Sequence, residues 1–320
     1  MNWNPLSAIY GGVVAARNRM YESGVLRSRG LRGAVISVGN LSTGGSGKTP
    51  FVILLGELLK ARSIKFDVLS RGYGRRTRGV LLVDPSGLPR DFGDEPLLMA
   101  RKLLAPVVVG EDRYEAGRFA ESRFGAQIHL LDDGFQHRGL ARDFDIVLVT
   151  PEDARGRLLP AGRLREPLGA LQRADAVALT SGAAAESFPS AGKMVWRVRR
   201  GIVTGNVTQD VPSRPLVFCG IARPQNFLLQ LRAAGIDPVA EAFFRDHHAY
   251  TERDVHDLLQ LSQRSEAGGF ITTEKDAVNM GGYLNALAPL AVMPVKMELA
   301  DAGNAMETML RVIEERRRRA

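Results

Sequence analysis

The stretch "SVGNLSTGGSGKTP", residues 37 to 50, constrains this chain more than any other. Gly44, Gly45 and Gly47 precede Lys48 and Thr49, and a short apolar, β-branched run, "GAVISVGN", comes directly before them. Beyond the loop Phe51, Leu54, Leu55, Leu58 and Leu59 recur at helical spacing, with Pro50 in the first turn, where its missing N–H costs nothing. Strand, glycine-rich turn, Lys-Thr and amphipathic helix form the order in which backbone N–H groups and a helix N-terminus converge on phosphate. The loop Ser42, Thr43, Gly44, Gly45, Ser46, Gly47, Lys48, Thr49 is therefore expected to hold a nucleotide. Lys48 would reach the β- and γ-phosphates, and the Thr49 hydroxyl would ligate Mg²⁺. One position departs from the strict pattern: Ser42 stands where glycine is usual, which predicts a tight turn entered at a conformational cost that glycine avoids.

The chain after this loop alternates apolar strand candidates, "FDVLS", "APVVVG", "QIHLLDD", "DIVLVT" and "DAVALT", with helical stretches such as "EPLLMARKLL" and "RYEAGRFAESRF". Continuous apolar strands separated by helices predict an α/β fold of P-loop NTPase type, a mostly parallel sheet covered by helices on both faces. Residues 181–193 turn small and Pro- and Gly-containing, and "MVWRVRRGIV" reads as an extended connector. A second, smaller α/β pattern follows, with a helix expected to open at Thr251 in a capping box with Asp254. The expected division is a nucleotide domain over 1–185, a connector over 186–200 and a smaller α/β domain over 201–320. Two modest domains suit 320 residues of 45% hydrophobic content.

Cys219 is the only cysteine, which excludes an intramolecular disulfide and a Cys-built metal site and points to a reducing compartment. The formal charge of +8 suits an anionic partner, but the chain carries no nucleic-acid module and no basic–aromatic interleaving, so nucleic acid is not expected. The apolar stretch "NPLSAIYGGVVAA" is too short to span a bilayer, and Arg17 and Arg19 follow it where a signal peptide would have them precede. Cytosolic machinery is expected. Trp3, Leu6, Ile9, Tyr10, Val13 and Val14 form one apolar helical face within about residues 1–28, suited either to the domain core or to a bilayer interface. The terminal "RRRRA" reads as a solvated basic end.

Several clusters carry chemistry. Asp132 and Asp133 end an apolar strand, either as a Walker-B-like metal element or as ordinary turn chemistry. "SRGYGR" offers Arg71, Tyr73 and Arg75 after the second strand, and "GDEP" places Asp94 and Glu95 at a helix start, as a base and a metal neighbour or as simple N-caps. "DHHAY" sets His247 and His248 before a helix, with no third metal ligand in sight. "TTEKDAVN" lacks the asparagine and spacing of the guanine reader N-K-x-D, which makes ATP the expected nucleotide.

Together, "VGNLSTGGSGKTP", "LSRGYGR", "GDEP", "EDR", "LDDGFQH", "LLPAGRLREP", "FFRDHHAY" and "TTEKDAV" resemble the lipid A 4'-kinase (tetraacyldisaccharide 4'-kinase) family over nearly the whole chain. That resemblance implies transfer of the ATP γ-phosphoryl to the 4'-hydroxyl of a tetraacylated glucosamine disaccharide 1-phosphate, by an enzyme peripheral to the cytoplasmic face of the inner membrane. It implies Asp94 as general base with His247 as its partner, and Thr49, Glu95, Asp132 and Asp133 about Mg²⁺. Asn40, Arg71, Tyr73, Arg113, Gln136, His137 and Glu166 match positions associated with the lipid headgroup. An anionic membrane surface is the implied partner, and a lipid substrate tips the N-terminal helix toward the interface. Because Asp94 and His247 come from different domains, catalysis would require closure. The alternative is a cytosolic P-loop ATPase whose loop drives a binding switch.

Overall fold

The computed structural model describes residues 4–202 and 211–319. Helix α1 (Pro5–Glu22) leads to β1 (Ala34–Asn40), α2 (Lys48–Ala61), β2 (Phe66–Ser70), β3 (Leu81–Leu82), α3 (Pro89–Phe92), α4 (Asp94–Leu103), β4 (Val107–Val109), α5 (Arg113–Phe124), β5 (Ile128–Asp132), β6 (Phe144–Val149), β7 (Ala176–Thr180) and β8 (Met194–Ile202). Then come β9 (Pro215–Cys219), α6 (Pro224–Ala233), β10 (Ala240–Phe243), α7 (Glu252–Arg264), β11 (Gly269–Thr273), α8 (Glu274–Met280), β12 (Leu290–Met293), β13 (Val295–Leu299) and α9 (Ala302–Arg319).

The strands make two sheets, one ordered β13-β8-β7-β6-β1-β5-β2-β4-β3 and one ordered β10-β9-β11-β12. All pairings are parallel except β13 with β8 and β3 with β4. Every residue of β1 is buried, as a central strand covered on both faces demands. On one face Ile36 and Val38 pack with Phe51, Leu55 and Leu59 of α2 and Leu97 and Leu103 of α4. On the other, Val35, Leu69 and Leu131 meet Ala116 and Ala120 of α5. Each fully buried Leu or Phe contributes about 1.5–3 kcal/mol of transfer free energy. Parallel pairing of β1 with β5 and of β5 with β2 brings Asn40, Asp132 and Ser70 to one edge of the sheet.

The expected connector and C-terminal boundary differ from what forms. Residues 194–202 are β8, parallel to β7, with Trp196 and Val198 buried and Val195, Arg197 and Arg199 exposed. That is the period-2 alternation of a strand whose outer face is wet, which the arginines disguise as a connector. After the small sheet the chain returns: β13 pairs with β8, and Ala305, Met306, Met309 and Ile313 of α9 close the core of the large sheet. The region from 215 to 293 is thus a lobe flanked in the chain on both sides by strands of the larger sheet, β8 and β13. The basic tail is not free either: Arg316 pairs with Asp175 at 2.7 Å and Arg317 with Asp143 at 3.2 Å.

Helix α1, capped by Asn4, has no fully buried residue. Tyr10 Oη donates to the Arg165 carbonyl (3.1 Å) and Asn18 Nδ2 to Glu166 (2.8 Å), so this side faces the protein and Val14 with it is half-buried. Leu6, Ile9 and Val13, by contrast, are 60–65% exposed. The single apolar face expected from the sequence is therefore two faces, and Trp3 lies outside the described residues.

Candidate active site

The glycine-rich loop joins β1 to α2, and its positive φ values fall at Gly44 (63°), Gly45 (71°) and Gly47 (87°). A Cβ on Gly47 would meet Met297 Cε at 2.3 Å, the far end of a flexible side chain, so it is the φ of 87° that favours glycine there. Ser42 does not have a positive φ; it is buried and forms an antiparallel bridge with Leu164. The conformational cost expected of a serine there is absent, because the first left-handed residue is Gly44, two positions on. Ser42 lies beneath the loop, while Thr43 to Thr49 line the cleft above it.

Lys48 opens α2 and donates from Nζ to Asn40 Oδ1 at 3.1 Å, with Asp133 Oδ1 at 3.5 Å. Asn40 in turn donates to the Ser42 carbonyl at 2.7 Å, so a buried amide ties loop and lysine together. Asp132 and Asp133 end β5 in different states. Burial, and then the charges of Glu95 and Asp133, push Asp132 up to about 7; Ser70 donates to one of its oxygens and the other has no partner. Asp133 is held below the usual carboxylate range: burial opposes this, and Lys48 and Arg165 outweigh it. Arg165 donates to both Asp133 oxygens at 2.9 and 3.1 Å, which occupies the carboxylate expected at a metal.

Among the described residues no three His, Cys, Asp or Glu side chains converge as a metal cage. Mg²⁺ beside phosphates needs none, since one or two protein oxygens, waters and phosphate oxygens complete its octahedron. The unpartnered, buried Asp132 oxygen, repelled by Glu95 and Asp133, is the kind of donor a cation would relieve, so the residues present fit such an ion.

The small sheet points its carboxyl ends into the same cleft, of about 770 Å³. His247, after β10, reaches across the lobes with Nδ1 at 2.8 and 3.0 Å from the two oxygens of Asp94, the buried first residue of α4. Its backbone sits at φ 57°, a strained region for histidine that functional sites tend to hold. Asn279 Nδ2 donates to Asp94 Oδ2 at 3.1 Å, and Lys275 Nζ lies 3.7 Å from that oxygen, 3.6 Å from Glu95 and 3.0 Å from Asp246. Burial pushes Asp94 up, but the His247 hydrogen bond, Lys275 and Asn279 together hold it below the usual carboxylate range. Burial likewise lowers His247, and Asp94 more than reverses it. His248 turns away: its Nε2 meets Asp254 at 3.1 Å and its ring stacks on Phe244 at 4.7 Å, while Thr251 and Asp254 form the expected capping box. The geometry separates the two histidines, which the sequence pattern alone could not do.

Gly93 precedes Asp94 at φ 91°, and a Cβ there would meet the Tyr73 carbonyl at 2.8 Å, so "SRGYGR" and "GDEP" are packed against each other. Arg71, Tyr73, Arg113, Gln136 and His137 also line the cleft. Tyr73 packs against His247 with ring centroids 5.2 Å apart and planes tilted by 57°. Arg113 is buried with its Nε unpartnered, and burial, then repulsion from Arg113, keeps His137 neutral with a pKa lowered to about 4. Two expected residues are elsewhere. Asn40 and Glu166 do not line the cleft; Glu166 is filled by Arg173 (2.9 and 3.0 Å), Asn18 and Gln136, leaving no capacity for a ligand.

The profile of the LpxK family, described as tetraacyldisaccharide-1-P 4'-kinase, matches residues 2–314. The chain belongs to this family. It is a kinase of lipid A biosynthesis, an ATP-dependent phosphotransferase that acts on the 4'-hydroxyl of a tetraacyldisaccharide 1-phosphate. A tetraacyldisaccharide 4'-kinase of Koribacter versatilis is 51% identical over 98% of this chain and 99% of its own length, and that of Chlorobaculum tepidum is 40% identical over 85% and 84%. A solved structure described as the "apo" form of LpxK from Aquifex aeolicus in complex with ATP superposes with a TM-score of 0.79 at 34% identity, covering 97% of this chain and 98% of that one.

Sequence reasoning missed four side chains that hold the charged groups of this kinase's site. Ser70, which holds Asp132, and Arg165, which holds Asp133, were inside quoted motifs but carried no distinguishing neighbour. Lys275 and Asn279 sit at i and i+4 of a helix that opens at a strand end, a pattern that puts both on one face beside the sheet's carboxyl edge. That signal was legible in "TTEKDAVN".

Proposed function

We propose that Asp94 accepts the proton of the acceptor hydroxyl while Lys48 and the loop 43–49 hold the phosphoryl donor. The observation that carries this reading is the Asp94–His247 pair at 2.8 Å, joined across the lobes in the cleft that the glycine-rich loop also lines. The hydroxyl O–H bond breaks as its oxygen bonds the γ-phosphorus, the proton goes to Asp94, and ADP leaves with the bridging oxygen. A carboxylate accepts such a proton late in a loose phosphoryl transfer, when the attacking oxygen has lost charge to the new bond. His247 orients the carboxylate, and the helix N-terminus at Asp94 favours its anionic form. Thr49, Asp132 and Glu95 would hold Mg²⁺, which supplies charge neutralisation to the phosphates when bound. Asp133 serves instead to fix Lys48 and Arg165.

The cationic side chains Arg71 and Arg113, with Tyr73, Gln136 and His137, suit an anionic sugar headgroup. Among the described residues no helix is long and apolar enough to cross a membrane. The exposed Leu6, Ile9 and Val13 of α1, with Arg17 and Arg19 beyond them, support contact with an anionic bilayer, at the cytoplasmic face of the inner membrane. The test is transfer of label from γ-labelled ATP to a tetraacyl disaccharide 1-phosphate in detergent micelles, wild type beside Asp94→Ala. Lipid label that is lost in the variant is expected; undiminished label in Asp94→Ala would remove Asp94 from the role of base.

A further inference from the structure

Lys275 reaches four partners, and the most informative is the imidazole. Its Nζ lies 3.2 Å from His247 Nε2, on the side of the ring opposite Asp94. An ammonium has three donors and no acceptor, so this contact is a hydrogen bond only when Nε2 carries a lone pair. The proton of the neutral ring is then on Nδ1, the nitrogen that faces Asp94 at 2.8 and 3.0 Å. With the other tautomer, two N–H donors would confront each other at Lys275 and two lone pairs at Asp94. The groups facing His247 are Asp94 on one side, which favours a second proton on the ring, Lys275 and Asp246 on the other, and Tyr73 against the ring; a protonated Nε2 would set two cations 3.2 Å apart, which the Lys275 charge opposes. Lys275 is itself held in place by Asp246 at 3.0 Å, and α8 is fixed against the larger lobe by Lys102 on Glu274 and by Asn279 on Asp94.

We propose that Lys275 is a positioning residue for the phosphoryl transfer, fixing His247 as the Nδ1–H tautomer that donates to Asp94. The inference rests on the reading of Asp94 as the proton acceptor. Nε2 is occupied, so His247 has no free lone pair with which to take the hydroxyl proton itself. His247 acts as a donor that orients one carboxylate while the acceptor hydroxyl uses the remaining lone pairs. Lys275 belongs to the smaller lobe, so seating that lobe sets the state of a ring whose partner belongs to the larger one. Its ammonium acts through the imidazole and needs no contact with either substrate.

The experiment uses the full-length kinase with ¹⁵N-labelled histidine, the His247 signals being assigned by their loss in His247→Gln. In the wild type Nδ1 is expected to resonate as a protonated nitrogen and Nε2 as an unprotonated one; a protonated Nε2 overturns the proposal whether or not any variant folds. In Lys275→Met the fixed tautomer is expected to give way to a mixture. Its kcat should fall about 30-fold, less than the roughly 10²- to 10⁴-fold contribution of the acid–base group it positions, with KM for ATP changed by less than about threefold. A loss carried by the KM for ATP would show that Lys275 holds the donor phosphates, and a kcat loss with the tautomer unchanged would show a purely structural role; either outcome overturns the inference. Asp94→Asn run beside these separates the two levels, since near-wild-type turnover there would sink the assignment of the base and leave the His247 spectrum to be judged alone.

Discussion

The two lobes turn the carboxyl edges of their sheets toward each other, yet they deliver different chemistry. The larger lobe brings backbone N–H groups, Lys48 and a row of carboxylates whose charges it only partly balances, as the raised Asp132 shows. The smaller lobe brings His247, Lys275 and Asn279, the groups that lower Asp94 although Asp94 belongs to the other side. A carboxylate buried at the end of α4 is made anionic by residues more than 150 positions away in sequence. Neither lobe alone holds a complete site; the Asp94 environment exists only where the two lobes meet.

This comparison can be broken. Asp94→Ala should lower kcat by roughly 10² to 10⁴ with ATP affinity retained, because the residue removed faces the acceptor. Lys48→Ala should cost about 10² to 10³ in kcat and weaken ATP binding as well, since a donor to the phosphates is lost. Titration calorimetry on both proteins decides the matter: equal loss of ATP affinity in the two would abolish the distinction between donor and acceptor sides. Gly93→Ala should destabilise the fold by about 1–3 kcal/mol, from strain at φ 91° and from the Tyr73 carbonyl at 2.8 Å, and should move Asp94 off His247. An unchanged urea midpoint would show that the turn relaxes freely. The smallest effect belongs to Arg316→Ala, far from the cleft, which should shift stability by no more than about 1 kcal/mol and leave kcat alone. A kinetic effect there would mean that the tail couples to the site.

The larger lobe was the more legible. Its loop announces itself because phosphate binding needs particular φ values at Gly44, Gly45 and Gly47, and those leave glycine in the sequence. Its strands are continuous apolar runs, which is what burial on both faces produces. The smaller lobe gives a weaker signal, the i, i+4 spacing of Lys275 and Asn279 beyond a strand end, because a lysine, an asparagine and a histidine are ordinary surface residues until a fold converges them. The misread segments have the same cause. In β8 the inward Trp196 and Val198 are interleaved with outward arginines, and α9 carries its apolar stripe on a strongly charged background. Glu166 looked like a ligand and is a brace, because sequence cannot show that Arg173, Asn18 and Gln136 already fill it.

The return of β13 and α9 to the large sheet has a consequence for synthesis. A nascent chain that has emerged through residue 293 contains the whole nucleotide loop and both catalytic candidates, but its first sheet still lacks an edge strand and the helix that carries Met306, Met309 and Ile313. Trp196 and Phe144, stacked in that core, await a cover that is translated after the whole smaller lobe. The larger sheet is therefore completed only after the smaller lobe has been made, and its apolar surface stays open to chaperones or to aggregation until then.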